Sequence, residues 1–233
     1  MHLLRIFSFI FIVVLISSCN TEERKKDMIH DDLDKFIKSF TNDFENIPAD
    51  GKKELKEISD YISERIESGK DVNLVFICTH NSRRSHMSQI AAQTAAYYYG
   101  VEKVKCYSGG TESTAFNPRA VKAILKAGYE VEKQDDSDNP VYIIEFAEEA
   151  SAIQAFSKKF DDSENPQDNF AAVMTCSDAD ENCPYVPGAG QRFAIPYDDP
   201  KEFDDTPLEE EKYDERLKQI STEMFFIFSN VDR

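Results

Sequence analysis

Positive charge is in short supply in this chain: 27 lysines and arginines stand against 44 aspartates and glutamates, a formal net charge of -17 over 233 residues. A surface of that sign repels nucleic acid and anionic membranes alike, so neither is a partner for the domain as a whole. Any anion the protein handles must be drawn in by a local site. No internal repeat is visible, which argues against a stacked-repeat architecture. Apolar runs are short for a membrane span. Cysteine is scarce as well, five residues in all. With 41% hydrophobic residues the chain can bury one good core, and a chain of this size needs no disulfide staples to fold. The few cysteines are therefore open to chemistry.

The first eighteen residues, MHLLRIFSFIFIVVLISS, join a basic residue (Arg5) to an apolar run ending in small side chains, the build of a secretory signal. The stretch LISSC resembles the cleavage box of bacterial lipoproteins. That resemblance implies cutting before Cys19, lipidation of Cys19, and an exported protein held at the periplasmic face of the cell envelope through that anchor alone. A soluble secreted protein and an uncleaved anchor are the other readings. Residues 19–31 are polar and read as a tether, and 32–233 as the folded domain.

Within that domain Leu33, Phe36, Ile37 and Phe40, then Leu55, Ile58, Tyr61, Ile62 and Ile66, recur at helical spacing. They predict a helical extension over 32–70 that covers one side of a core at 71–233. Val72 to Ile77 suits a strand buried on both faces, Ser85 to Tyr99 an amphipathic helix closed by Gly100, and Val104 to Ser108 a second strand. Asn117-Pro118 caps a helix running to Gly128. This β-α-β-α order predicts a right-handed parallel crossover. Residues 132–169 interrupt it with acidic loops around VYIIEF and AIQAFS, read as an inserted β-hairpin. AAVMTC (171–176) and RFAI (192–195) then supply the third and fourth strands, and Leu208 to Phe228 a final helix.

The chemistry concentrates at Cys78-Thr79-His80-Asn81-Ser82-Arg83-Arg84-Ser85, a C-x5-R-S spacing set between a buried strand and a helix start. In that setting successive backbone N–H groups can turn inward as an anion nest, and the helix N-terminus adds partial positive charge. A tetrahedral oxyanion fits such a loop, with Thr79, His80, Asn81, Ser82, Arg83, Arg84 and Ser85 around it. Arg84 offers a planar fork to two oxygens, while the Ser85 hydroxyl and the same field favour the thiolate of Cys78. Cys78 is then an in-line nucleophile. The bland alternative is a strand-end cysteine followed by surface arginines.

These residues resemble the low-molecular-weight phosphotyrosine phosphatase superfamily, which includes the thioredoxin-coupled arsenate reductases. The likeness spans most of 72–228 apart from the inserted hairpin. It implies an α/β fold with a four-stranded parallel sheet flanked by helices and the cysteine loop at the carboxyl end of the first strand. Two loop positions depart from the family: His80 stands where Gly is usual, and Arg83 where Cys or an apolar residue is frequent. The segment TCSDADENCP (175–184) is similar to the corresponding one in the reductases. The resemblance implies that Cys78 attacks arsenate, Cys176 attacks Cys78, and Cys183 then attacks Cys176, leaving a disulfide on a polar loop flexible enough to join the two sulfurs. A thioredoxin-like reductant would follow. A structural disulfide or a metal pair are the alternatives.

YDDP (197–200) matches the family's acid loop, making Asp199 the candidate general acid toward arsenate or a phosphate ester. Lys201 and Glu202 stand where phosphatases of the family commonly place aromatic residues, leaving Tyr197, Phe203 and the hairpin to supply an aromatic wall. Asn81 and Ser108 match positions that help hold a potassium ion in some reductases, but Gln89 stands where a carboxylate is expected; no other cofactor or metal is implied. Cys106 reads as a small core residue. A phosphatase using Cys78, Arg84 and Asp199 alone, and a non-catalytic oxyanion-binding lipoprotein, are the competing functions.

Overall fold

The computed structural model describes residues 25–26, 28–183 and 185–232. The proposed leader and Cys19 lie outside them. Among the described residues no helix is long and apolar enough to cross a membrane.

Four strands form the central sheet: β1 (Val72–Cys78), β2 (Val104–Gly110), β6 (Phe170–Met174) and β7 (Ala189–Ala194). Their order is β2-β1-β6-β7, with every neighbouring pair parallel. β1 and β6 are central and apolar almost throughout, as a sheet covered on both faces requires. Helix α3 (Arg84–Tyr98) follows β1 and buries most of its residues between the sheet and α6 (Glu209–Ser229). α4 (Pro118–Lys126) opens with Asn117 Oδ1 accepting from the Arg119 amide and Pro118 in its first turn, the expected cap. The sequence reading of a four-stranded parallel α/β sheet is what the chain adopts.

The N-terminal extension belongs to the same core. α1 (Asp31–Lys38) and α2 (Ala49–Glu67) bury Leu33, Ile37, Leu55, Ile58 and Ile62 in one continuous cluster with α3 and α6. Phe40, just past α1, packs edge-on against Phe225 of α6 with centroids 5.2 Å apart. The expected tether ends earlier than residue 31. Ile29 is buried and forms an antiparallel bridge with Ala147, and the His30 amide donates to the Phe146 carbonyl at 3.1 Å.

The insertion is larger than a hairpin. β4 (Tyr142–Glu145) and β5 (Ile153–Ala155) pair antiparallel as expected, but β3 (Glu130–Lys133) adds a third strand, and the order is β3-β4-β5. The segment after β5 returns to the central sheet, where the Gly110 amide donates to the Lys158 carbonyl and the Phe160 amide to the Gly110 carbonyl, both at 2.9 Å.

If α1 is part of the core, Phe40→Ala should cost about 3–5 kcal/mol of unfolding free energy in a denaturant titration. A loss below about 1 kcal/mol would mark the extension as a separate appendage.

Candidate active site

β1 ends at Cys78 and the chain turns through residues 79–83 into α3. The turn is made by Asn81, which takes a left-handed backbone with φ of 44°, and by Arg83 at φ -135°, ψ -85°. Among the described residues, none of the amide N–H groups of 79–85 donates to a protein acceptor. Buried backbone donors are rarely left unspent, so a run of them marks a binding loop rather than a turn. The loop's back is closed by Gly110. A Cβ there would lie 2.2 Å from the Glu112 carbonyl oxygen and 2.7 Å from both the Asn81 nitrogen and the Thr79 oxygen. No other residue type fits this approach.

The Cys78 sulfur is 3.1 Å from Ser85 Oγ, and Asn81 Nδ2 donates to that same oxygen at 2.9 Å. With the oxygen accepting from Asn81, the Ser85 hydroxyl proton is free to be donated to the sulfur. Asn81 Oδ1 in turn accepts from the Lys158 amide at 2.9 Å, so the insertion holds the residue that holds Ser85. Thr79 and Ser82 are tied to the segment after β2: the Thr79 carbonyl accepts from Thr111 Oγ1, and Ser82 Oγ donates to the Ala115 carbonyl. His80 stands half exposed at the rim, its Nε2 3.6 Å from Glu112.

The two arginines part company. Arg84 is buried, with Nη1 donating to the Tyr197 carbonyl at 2.8 Å, Nη2 to Asp199 Oδ2 at 2.6 Å, and Nε buried without a partner. Arg83, also expected at the oxyanion, has its Nε 4.0 Å from Asp199 Oδ1 and spends its hydrogen bonds on two other side chains. Nε donates to Tyr213 Oη at 2.7 Å and Nη2 to Asp204 at 3.2 Å. Its contribution to an anion in this arrangement is its backbone amide.

Asp199 is carried by the loop after β7. The Tyr197 amide donates to the Thr175 carbonyl at 3.1 Å, stitching the acid loop to the end of β6, and Asp199 Oδ1 caps the following turn by accepting from the Lys201 amide at 3.1 Å. Tyr197, a sequence candidate for an aromatic wall, is instead a buried strut. Its hydroxyl donates to Glu223 at 2.7 Å, and burial, with Glu223 beside it, holds the phenol well above its ordinary range.

The remaining cysteines fall into two kinds. Cys176 is fully buried in the small apolar cluster that also contains Cys78, and its sulfur lies 3.6 Å from Thr79 Oγ1, which places it against the loop. Cys183 is partly exposed and packs on the same cluster. The segment between them is not a flexible loop. Ser177–Asn182 forms a short helix, α5, with the Cys176 sulfur accepting from the Ala179 amide at 3.4 Å. Arg192 clamps its far end through the Cys183 carbonyl at 3.2 Å and Asp180 Oδ1 at 2.5 Å. All four cysteines of the domain are free thiols. Cys106 is buried, and desolvation pushes its thiol far up, which leaves it unreactive.

Ser108 Oγ is 3.1 Å from His86 Nδ1, and the Asn81 amide group is spent on Ser85 and Lys158. Among the described residues no group of His, Cys, Asp or Glu side chains is arranged to hold a metal ion. His86, stacked on Phe116 at 4.1 Å, has its imidazolium strongly disfavoured by burial and by Lys158.

The chain is similar in sequence to known proteins. Residues 73–144 match the family model described as low molecular weight phosphotyrosine protein phosphatase. An arsenate reductase of Bacillus subtilis (strain 168) is 31% identical over 140 residues, covering 60% of this chain and 81% of that protein. One from Bacillus cereus (strain 03BB102) is 27% identical over 150 residues, covering 64% and 92%. Among solved structures, a low molecular weight protein tyrosine phosphatase from T. tengcongensis is a distant likeness, with a TM-score of 0.48 and 16% identity over 69% of this chain and 100% of that one.

Arg84→Lys should weaken binding of inorganic phosphate about 10–100-fold by calorimetry, since a point charge replaces the planar fork. Arg83→Lys should change it by less than about threefold, because its guanidinium is tied to Tyr213 and Asp204. Equal losses would contradict the division of labour between them.

Proposed function

We propose, for a chain that belongs to the low-molecular-weight phosphotyrosine phosphatase superfamily and has arsenate reductases among its relatives, that the reaction is reduction of arsenate through a three-cysteine relay. The observation that carries this reading is Cys176: a buried thiol held against the nucleophile loop, with a second, partly exposed thiol at the other end of α5. Hydrolysis of a phosphate ester has no use for either.

In the mechanism the oxyanion docks on the amides of 79–85 and takes the Arg84 fork from Asp199. The exchange is productive. Released from the guanidinium, the Asp199 carboxyl lies beside the anion, placed to hand a proton to the departing oxygen. The Cys78 thiolate forms a bond to arsenic, and the displaced oxygen leaves as water with the proton from Asp199. The Cys176 thiolate then attacks the Cys78 sulfur. An S–S bond forms, the S–As bond breaks, and its electron pair stays on arsenic, which departs as arsenite. Cys183 next attacks Cys176 and frees Cys78. An external dithiol of the thioredoxin type reduces the Cys176–Cys183 disulfide and closes the cycle.

The relay demands a conformational change. Two residues seven apart on helical backbone are separated by roughly 10 Å along the axis. A disulfide tolerates Cα separations of up to about 7 Å. Helix α5 must therefore unwind, releasing the Arg192–Asp180 pair, before Cys183 reaches Cys176. The same event carries the new disulfide toward the surface, where a reductant can meet it. If the chain is exported and anchored at Cys19, that reductant acts outside the cytoplasm.

With arsenate and a thioredoxin system, Cys78→Ser should abolish turnover, and Cys176→Ser and Cys183→Ser should each lower it by at least about 100-fold. Cys176→Ser should leave any aryl phosphatase activity within about threefold of the parent. A parent that cleaves aryl phosphate but never yields arsenite would make the protein a phosphatase. Absence of both activities in the parent would leave an oxyanion-binding protein without catalysis, and activity that survives Cys78→Ser would remove Cys78 as the nucleophile. In hydrogen exchange, the amides of 179–183 should lose protection on oxidation, and unchanged protection would contradict unwinding of α5.

A further inference from the structure

A cleft of about 520 Å³ opens between β2, α3 and the antiparallel sheet, and it includes none of residues 78–85. That volume is typical of small-molecule sites. Aromatic and aliphatic side chains, Phe146, Ile153 and Phe156 among them, share its walls with the carboxylates Glu149 and Glu164, and two buried polar side chains face it, Lys158 and Gln89.

Lys158 is only 5% exposed, and among the described residues no carboxylate lies within 4.0 Å of its ammonium. The face of Phe156, 4.4 Å away, is its close neighbour. Burial pushes the ammonium down to about 8, with Asp162 and Glu164 acting in the opposite direction. A buried unpaired charge is costly, and an aliphatic side chain of the same length would pack there without that cost. Gln89 adds a second unmet demand. Its Nε2 donates to the Cys106 carbonyl at 3.1 Å, which fixes the amide's orientation, and its Oε1 is buried with no donor.

We propose that this cleft is a second ligand site, which takes a small aromatic carboxylate bearing a hydroxyl group. The carboxylate meets the Lys158 ammonium, the ring lies among Tyr97, Phe146 and Phe156, and the hydroxyl donates to Gln89 Oε1. A single negative charge suits the site better than the two of a phosphate monoester, because Asp162 and Glu164 already bear on Lys158. The ligand is therefore distinct in kind from the tetrahedral anion of the cysteine loop.

The test titrates the full-length protein with 4-hydroxyphenylacetate by calorimetry, in excess inorganic phosphate so that the cysteine loop is occupied. The uncharged 2-(4-hydroxyphenyl)ethanol is the control. The acid should bind at least about tenfold more tightly than the alcohol, and Lys158→Met should remove that preference. Lys158→Met should also melt about 2–4 °C higher than the parent, because it removes an unpaired buried charge while leaving the backbone bonds to Asn81 and Gly110 in place. In 15N spectra the acid should shift the Gln89 side-chain amide and leave 79–85 unmoved. Absence of binding at millimolar acid, equal affinity for acid and alcohol, shifts confined to 79–85, or a Lys158→Met protein that melts lower would each overturn the proposal.

Discussion

Seven consecutive backbone N–H groups that follow one buried sulfur in the chain, and that find no protein acceptor among the described residues, are the constraint from which the rest of this structure follows. Such a loop is unstable by itself, and the neighbouring elements act to hold it open. β1 delivers Cys78 from the centre of the sheet, Gly110 brings β2 to within van der Waals limits of the loop's backbone, and Asn81 accepts the left-handed conformation that turns the chain. Asn81 then links two distant parts of the molecule, since one end of its amide orients Ser85 toward the sulfur and the other is held by the insertion. The three-stranded sheet is thereby a structural partner of the loop as well as a wall of the adjoining cleft.

Arg84 and Asp199 divide the site's charge between two states. Without an anion the guanidinium neutralises the carboxylate, and the net charge beside Cys78 is small. In the proposed mechanism an incoming oxyanion replaces Asp199 on the fork. In a protein of net charge -17 this pairing also keeps the arginine from being captured by any of the many surface carboxylates. Arg83 shows the other outcome: its guanidinium is drawn to Asp204 and Tyr213.

Much of the fold was legible because the signals were physical and long. Apolar runs at 72–77 and 171–174 could only be doubly covered strands, and the spacing of Leu55, Ile58 and Ile62 could only be one helical face. The elements that escaped are those whose residues carry weak periodicity. EVEK (130–133) has one apolar position and becomes a strand because β4 offers it a ladder. SDADEN (177–182) has no apolar stripe, and its helix depends on a cysteine cap and on Arg192, twelve residues from its partner Asp180 in the chain. Residues 28–30 read as polar linker, yet Ile29 is pinned by the insertion. For the site, the residue types and their order were readable, whereas partners were not. Nothing local in the sequence tells that Arg83 turns to Tyr213, 130 positions on, or that Lys158 and Gln89 share a cleft.

The claim on which the account stands is that the amides of 79–85 receive a tetrahedral anion beside Cys78 and displace Asp199 from Arg84. A crystal structure of the reduced protein soaked in sulfate tests it directly. The account predicts sulfate oxygens within about 3.2 Å of several of these amides and of Arg84 Nε, with the Arg84–Asp199 contact opened. Sulfate bound elsewhere, with Arg84 still closed on Asp199 and the amides unengaged, would contradict it.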